Sequence, residues 1–271
     1  MPELPEVETT MRGIFPHIHQ QKIIKVTIRE RRLRWRIAQG LEKILQGKII
    51  TGITRRAKYL LLQVNGGHII IHLGMSGHLR ILSGQQLADK HDHIDIEFAN
   101  HWILRFNDPR RFGAFIWVEG DIQQHHLFKK LGYEPLTKEF NGKYLLQKAR
   151  GRNIAVKSFL MNQNIVTGVG NIYAAEALFM AGIHPLVPVK NLSLQQWEKL
   201  TKAVKKILKA AIKKGGTTLR DFMDSEGKPG YFSNQLQVYG RAGKPCVVCG
   251  TRLQMIKIGQ RSTVFCEQCQ K

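Results

Sequence analysis

Cys246-Val247-Val248-Cys249, then sixteen residues, then Cys266-Glu267-Gln268-Cys269 lies at the end of this 271-residue sequence. Two Cys-x-x-Cys pairs at this separation fall in the ligand spacing of a tetrahedral four-thiolate zinc site. With sulfur at all four positions no place is left for water, so a single zinc ion would hold the fold and do no chemistry. Between the pairs, Leu253 to Ile258 and Thr263 to Cys266 read as two strands joined around Gly259-Gln260-Arg261. A hairpin finger follows, with Arg261 at its tip. A guanidinium there can grip phosphate bidentately; the alternative is a solvated turn residue. These are the chain's only cysteines, and in a reducing compartment such spacing means metal rather than disulfides.

The charge favours the phosphate reading. Lys and Arg outnumber Asp and Glu 42 to 20, a formal net charge of +22, which sets up a field that draws polyanions such as nucleic acid or anionic lipid. No apolar run approaches the ~20 residues of a spanning helix. Met1 to Arg12 also lacks the pattern of a signal peptide. The expected location is the cytoplasm, with no membrane partner.

Upstream of the finger, Tyr231-Phe232 and Gln237-Val238-Tyr239-Gly240 read as an aromatic-rich strand, and Gly215 to Gly230 as a loop of the length usually reserved for function. Ser193 and Gln196 form a capping box for a long helix in which Trp197, Leu200, Val204, Ile207, Leu208 and Ala211 share one face. The lysines on its other side read as a solvated face. Before it, Ile154 to Met161 and Ile172 to Ala181 read as two short helices, the second ended by Gly182. Gly168-Val169-Gly170-Asn171 between them admits two readings: free backbone N–H groups at a helix start that suit phosphate, or simple capping by Asn171.

Gly132 to Gly151 has the composition of an interdomain connection, and before it the periodicity changes to two. Ile23 to Ile28, Ile49 to Thr54, Tyr59 to Val64, His68 to His72, His93 to Phe98, Trp102 to Phe106 and Ala114 to Val118 read as antiparallel strands of a sandwich. In the fifth, Ile94, Ile96 and Phe98 share the inner face and the polar residues are expected to face water. His91, His93 and His101 are then histidines on a wet hairpin, not metal ligands.

The chain opens Met1-Pro2-Glu3-Leu4-Pro5-Glu6. Removal of Met1 would leave the secondary amine of Pro2 as the terminus. A terminal amine titrates near ~8 and lysine near ~10.4, so at neutral pH it holds roughly a hundredfold more of the attacking, unprotonated form. Pro5 suits a first helical turn, and Glu6 and Glu8 suit its positive end. Gly13 and Pro16 are expected to end this helix.

Pro2-Glu3-Leu4-Pro5-Glu6-Val7-Glu8, Arg56-Ala57-Lys58-Tyr59, His72-Leu73-Gly74-Met75-Ser76-Gly77, Asp108-Pro109-Arg110-Arg111-Phe112-Gly113, Gly168-Val169-Gly170-Asn171-Ile172-Tyr173 and the finger with Arg261 together closely resemble the bacterial formamidopyrimidine-DNA glycosylases, from the first residue to the last. The resemblance implies an α+β fold: an N-terminal antiparallel β-sandwich with flanking helices over 1–135, a helix-two-turns-helix domain over 136–236, and a zinc finger over 237–271, with damaged double-stranded DNA in the cleft between the sandwich and the C-terminal parts. It implies a monomeric, nucleoid-associated repair enzyme that excises 8-oxoguanine and formamidopyrimidines and then cuts the strand by β- and δ-elimination.

By the same resemblance Pro2 is the nucleophile, Glu3 the proton donor and Lys58 an active-site lysine that contacts phosphate. Glu6 orients the helix start. Met75, Arg110 and Phe112 fill the hole left by the extruded nucleotide, and His72, Asn171 and Arg261 contact the backbone. Thr217, Thr218 and Tyr231 belong to the loop that closes over the lesion. Gln260 and Val264 depart from common forms of the family, which bears only on the finger tip. The sister family of endonuclease VIII shares the terminus, the lysine and the finger; Leu4, the Met75 loop and the Arg110–Phe112 pair favour the purine-specific branch. A zinc-ribbon DNA-binding protein without catalysis would leave the Pro-Glu terminus with no purpose.

Overall fold

Leu4, Val7, Ile14 and Ile18 recur on one stripe of the first helix and are fully buried. In the computed structural model, which describes residues 1–84, 86–217 and 231–271, that stripe seats helix α1 (Leu4–Ile18) against a β-sandwich. Pro16 does not end the helix as expected; it lies inside its last turn. There the missing N–H forfeits one bond near the end, while Ile18 remains in the core.

The chain continues through β1 (Ile23–Ile28), the short α2 (Leu41–Leu45), β2 (Ile50–Arg56), β3 (Tyr59–Val64), β4 (Gly67–His72), β5 (His78–Ser83), β6 (Asp92–Phe98), β7 (Trp102–Asn107) and β8 (Ala114–Glu119). All pairings are antiparallel, in two four-stranded sheets ordered β2-β3-β4-β8 and β1-β6-β7-β5. Leu60, Leu62, Ile69, Ile71 and Phe115 from the first sheet and Val26, Leu79, Ile96, Phe98 and Phe106 from the second share one core with α1. This is sheet-on-sheet burial of two alternating inner faces.

β6 departs from the expected alternation. Asp92, His93 and Asp95 are buried along with the isoleucines. The cause is an ionic network on the outer face: Arg105 bonds Asp95 through Nε and Nη2, both at 2.8 Å, Arg29 reaches Asp95 at 2.6 Å, and Arg80 reaches Asp92 at 2.7 Å. Carboxylates buried this way are paired rather than solvated. His93 is likewise held, its Nε2 2.8 Å from the Asp108 carbonyl oxygen.

The chain divides into two compact units, Met1–Lys129 with Lys214–Tyr231, and Lys130–Lys213 with Phe232–Lys271. The second carries α3 (Gly142–Ala149), α4 (Val156–Leu160), α5 (Asn171–Ala181), α6 (Leu194–Lys213) and the hairpin β9 (Gln254–Ile258) and β10 (Arg261–Phe265). Helix α3, capped by Asn141, occupies part of the stretch expected to be plain connection. The capping box of α6 is present, with Ser193 N–H on Gln196 Oε1 and Gln196 N–H on Ser193 Oγ. The strand expected around Tyr231 is instead a bridge from Tyr231 to Thr217 followed by a single 3-10 turn, Phe232–Gln235. Thr218 and most of the loop expected up to Gly230 lie outside the described residues. Among the described residues, no helix is long and apolar enough to cross a membrane.

Candidate active site

The start of α1 is built around two buried carboxylates. Glu3 is the N-cap and Pro5 sits in the first turn, where its missing N–H leaves nothing unpaired. Glu6 Oε2 accepts the N–H of Glu3 at 2.8 Å, which closes the cap. Its other oxygen, Oε1, accepts the N–H of Thr217 at 2.7 Å. Gly216, at φ +81°, passes so close that an added Cβ would lie 3.0 Å from Glu6 Oε1. Glu6 therefore ties the helix start to the segment that leads out of α6. Pro2, Glu3 and Thr217 are all buried here, while Met1 is exposed.

Lys58 sits in the two-residue turn between β2 and β3, with Arg56 paired to Tyr59 across it. Ala57 adopts φ +56°, the left-handed conformation a side chain disfavours. Arg55 fixes the turn, donating from Nη1 to the Ala57 carbonyl at 2.9 Å and from Nε to Glu8 Oε2 of α1 at 2.9 Å. Lys58 is 6 % exposed. Across the strand pair from Tyr59 lies His72, whose Nδ1 accepts the N–H of Gly74 at 2.9 Å. Burial, then the charges of Lys58 and Arg34, push the His72 imidazole down to about 4 from its ordinary 6.5. Its ring is thus neutral at physiological pH.

Met75 and Phe112 stand out of the core although both are large and apolar, 41 % and 46 % exposed. The Arg110 guanidinium lies 4.9 Å from the centre of the Phe112 ring, within cation–π range. Exposed apolar groups beside an exposed cation suit the flat, negatively framed interior of a base stack.

In the second unit, Gly170 is the N-cap of α5 and Asn171 its first residue, so the capping reading of Asn171 fails. Its side chain is committed elsewhere. Oδ1 accepts from Lys157 Nζ at 2.6 Å, and Nδ2 donates to the Ser262 carbonyl at 3.2 Å. Lys157 also donates to Thr263 Oγ1 at 2.6 Å. Asn171 is thereby set beside the finger hairpin, next to the exposed Arg261. Arg261 opens β10 opposite Ile258, and Gly259 and Gln260, at φ +52° and +62°, form the tight two-residue turn. Gln260 is thus a turn residue in the left-handed region, and Val264 is buried in the finger core.

The four Sγ atoms lie within 4.8 Å of one another, with Cys246 to Cys269 at 3.9 Å and Cys249 to Cys266 at 3.5 Å. A tetrahedron with Zn–S of about 2.3 Å has edges of about 3.8 Å, so the residues fit one structural zinc ion. Zinc fixes the finger, and the finger is fixed to α5. Gln270 donates to the Ile183 carbonyl at 2.9 Å and accepts from Cys266 N–H at 2.9 Å. Lys271 N–H donates to Gly182 O at 3.1 Å.

Several partners escaped the sequence reading. Arg55, Lys157 and Glu176 carry no motif of their own, though a lone lysine between Val156 and Phe159 in an apolar turn could have been flagged as buried. Glu176, inside α5, accepts the N–H groups of Gln237, Val238 and Tyr239 at 2.8 to 2.9 Å. Burial pushes its carboxyl above the ordinary range against the pull of those three donors.

Three family models cover the chain: "Formamidopyrimidine-DNA glycosylase N-terminal domain" over residues 1–115, "Formamidopyrimidine-DNA glycosylase H2TH domain" over 131–223, and "Zinc finger found in FPG and IleRS" over 243–271. The formamidopyrimidine-DNA glycosylase of Hydrogenovibrio crunogenus is 53% identical over 100% of this chain and 97% of its own length. That of Xylella fastidiosa is 55% identical, with both chains covered fully. The solved structure of the Lactococcus lactis enzyme with DNA containing N7-benzyl-Fapy-dG superposes with a TM-score of 0.92 at 37% identity, covering 100% of both chains. A structure of MutM with DNA containing carbocyclic 8-oxo-G gives 0.91 at 37% identity over the same span. With the sandwich, the four-thiolate finger and full-length identity above one half all in agreement, the chain belongs to the formamidopyrimidine-DNA glycosylase family.

Proposed function

We propose that this protein is a base-excision repair enzyme that removes oxidised purines, 8-oxoguanine and formamidopyrimidines, from duplex DNA and then cuts the strand at the resulting site, with Pro2 as its nucleophile. The observation that carries the reading is the start of α1. Glu6 spends both oxygens on backbone N–H groups, so the residues ahead of the helix are held in place rather than left as a loose tail. Related enzymes solved in complex with DNA containing N7-benzyl-Fapy-dG, carbocyclic 8-oxo-G or an abasic site support the substrate class.

Removal of Met1 frees the Pro2 nitrogen. Its lone pair attacks C1′ of the extruded nucleotide, the C1′–N bond breaks, and the departing base takes up a proton. Glu3 gives a proton to the sugar ring oxygen as the ring opens, leaving an iminium between Pro2 and C1′. The iminium acidifies the C2′ proton; its loss expels the 3′-phosphate, and a second elimination expels the 5′-phosphate. Lys58 holds a phosphate next to the lesion. Met75 and Phe112 take the place of the extruded base in the stack, and Arg110 bonds the orphaned cytosine. Asn171 and Arg261 grip the backbone, with His72 adding a neutral contact, and Thr217 and Tyr231 flank the lesion. The reacting groups and the stack-filling side chains belong to the unit that holds the sandwich, and Asn171 and Arg261 to the other. The enzyme works as a monomer in the cytoplasm, on the nucleoid.

Borohydride reduction in the presence of 8-oxoguanine duplex tests this. A covalent protein–DNA adduct is expected, from a chain whose intact mass lacks Met1, and Pro2→Gly should weaken it. No adduct would favour a non-catalytic DNA-binding protein. Faster release of thymine glycol than of 8-oxoguanine would move the chain to the pyrimidine-specific sister branch.

A further inference from the structure

The segment that carries Met75 and the segment that carries Arg110 and Phe112 share one buried carboxylate. Asp108 follows β7 directly and is fully buried. Its Oδ1 accepts the Ser76 hydroxyl at 2.9 Å, and its Oδ2 accepts the N–H of Gly113 at 2.7 Å. Ser76 Oγ in turn accepts the N–H of Arg110 at 3.3 Å. The backbone of Asp108 is used as fully as its side chain. Its N–H donates to the His91 carbonyl at 3.1 Å, and its carbonyl accepts the N–H of Arg111 at 3.1 Å and lies 2.8 Å from His93 Nε2.

The two segments also touch directly. Gly74, at φ +65°, comes so close that an added Cβ would lie 2.5 Å from the carbonyl carbon of Phe112 and from the Gly113 nitrogen. Arg111 takes φ +56°, a conformation that a long side chain adopts only when its surroundings hold it. Ser76 and Asp108 are buried, 5 % and 0 % exposed, yet what they order is the pair of residues that stay outside the core. A satisfied buried network of this kind fixes one geometry, because every alternative leaves a donor or acceptor unpaired.

We infer that Asp108 is a positioning residue, acting through Ser76 and Gly113, that sets the spacing between Met75 and the Arg110–Phe112 pair so that all three enter the base stack as one rigid body. This rests on the reading that those three fill the hole left by the extruded nucleotide. A network that acts only on entry into the stack would spare the chemistry at Pro2 when it is lost, and that separates its role from catalysis. In Asp108→Asn the amide oxygen can keep the Gly113 bond, while the amide N–H reverses the bond to Ser76. That variant should therefore rescue much of what Asp108→Ala loses. Ser76→Ala cuts the link between the segments and leaves the Gly113 bond intact.

The test compares wild type, Ser76→Ala, Asp108→Asn, Asp108→Ala and Phe112→Ala on two substrates. The first is an 8-oxoguanine duplex with 2-aminopurine beside the lesion, read for single-turnover excision and for the fluorescence rise as the stack opens. The second is a single-stranded oligonucleotide with a preformed abasic site, which has no duplex stack to enter. Ser76→Ala and Asp108→Ala are expected to slow duplex excision and the fluorescence rise by roughly tenfold to a hundredfold, the scale of a misplacement of about 1 Å. Their cleavage of the single strand should match wild type, and Asp108→Asn should fall between. If Asp108→Ala does not fold, Ser76→Ala carries the comparison. Equal losses on both substrates, or no loss on the duplex, overturn the assignment of Asp108. Full duplex excision by Phe112→Ala overturns the stack-filling reading itself, and the assignment with it.

Discussion

At position 72 the chain places an imidazole whose Nδ1 is occupied by the Gly74 N–H and whose neighbours Lys58 and Arg34 are cations. Burial, and then the charges of Lys58 and Arg34, hold its pKa down to about 4. The unfolded histidine binds its proton near 6.5, so the unfolded chain takes up protons first as acid is added. Stability contributed by His72 is thus present above about 6.5 and lost as the pH falls toward 4. An NMR titration should find the His72 midpoint near 4, and a midpoint at the ordinary value would contradict the burial of this ring. Candidate site residues were proposed because they sit in motifs: Pro2, Lys58, Met75, Arg110, Asn171 and Arg261 are named by resemblance. Their supports were not. Lys157, Ser76 and Asp108 act through partners far off in sequence, and no local pattern reports that a lysine at 157 will meet a threonine at 263.

Among the elements, α5 does two jobs. Its first residue, Asn171, faces the finger hairpin, and five residues later Glu176 accepts three successive N–H groups from the stretch that leads to the finger. Glu176→Ala strands those donors and is expected to lower stability by on the order of 3 kcal/mol, with Glu176→Gln losing less, as read by denaturant titration. Zinc acts on the same assembly from the other side. Chelation of the metal should unfold the β9–β10 hairpin, lower the melting temperature and weaken duplex binding through Arg261, and re-addition of zinc should restore all three. The finger was legible to within a residue or two because cysteine spacing is a hard geometric constraint. The strands were legible because apolar alternation reports one buried face. Alternation failed at β6, where both faces are buried and the outer one is ionic. It also missed β5, whose His78-Leu79-Arg80 mixes charge into the pattern. Pro16 misled for a related reason, since packing of Ile18 outweighs the local preference against proline in a last turn.

For the whole chain, the formal net charge of +22 makes binding to any duplex a release of counterions. Affinity for lesion-bearing and undamaged duplex alike should fall steeply with salt. Arg261→Ala should weaken both and make the slope of log K against log salt shallower by about 0.9, the value of one phosphate contact. An unchanged slope would remove Arg261 from the list of phosphate ligands. Fold class was readable at this scale because three independent signals agreed: a period-2 half, a helical half, and a four-cysteine end. The division into compact units was less so. Residues Lys214–Tyr231 belong with the sandwich although they follow α6 in the chain, and Glu6 reaching Thr217 shows why. That contact spans most of the sequence, and composition carries no trace of it.

Met75 carries its thioether outside the core, 41 % exposed. Exposed methionine is oxidised to the sulfoxide, which turns an apolar, pliable group into a polar and chiral one. Oxidants of the kind that make 8-oxoguanine would therefore also reach the side chain proposed to fill its place, and a polar sulfoxide there would stack less well until it is reduced back.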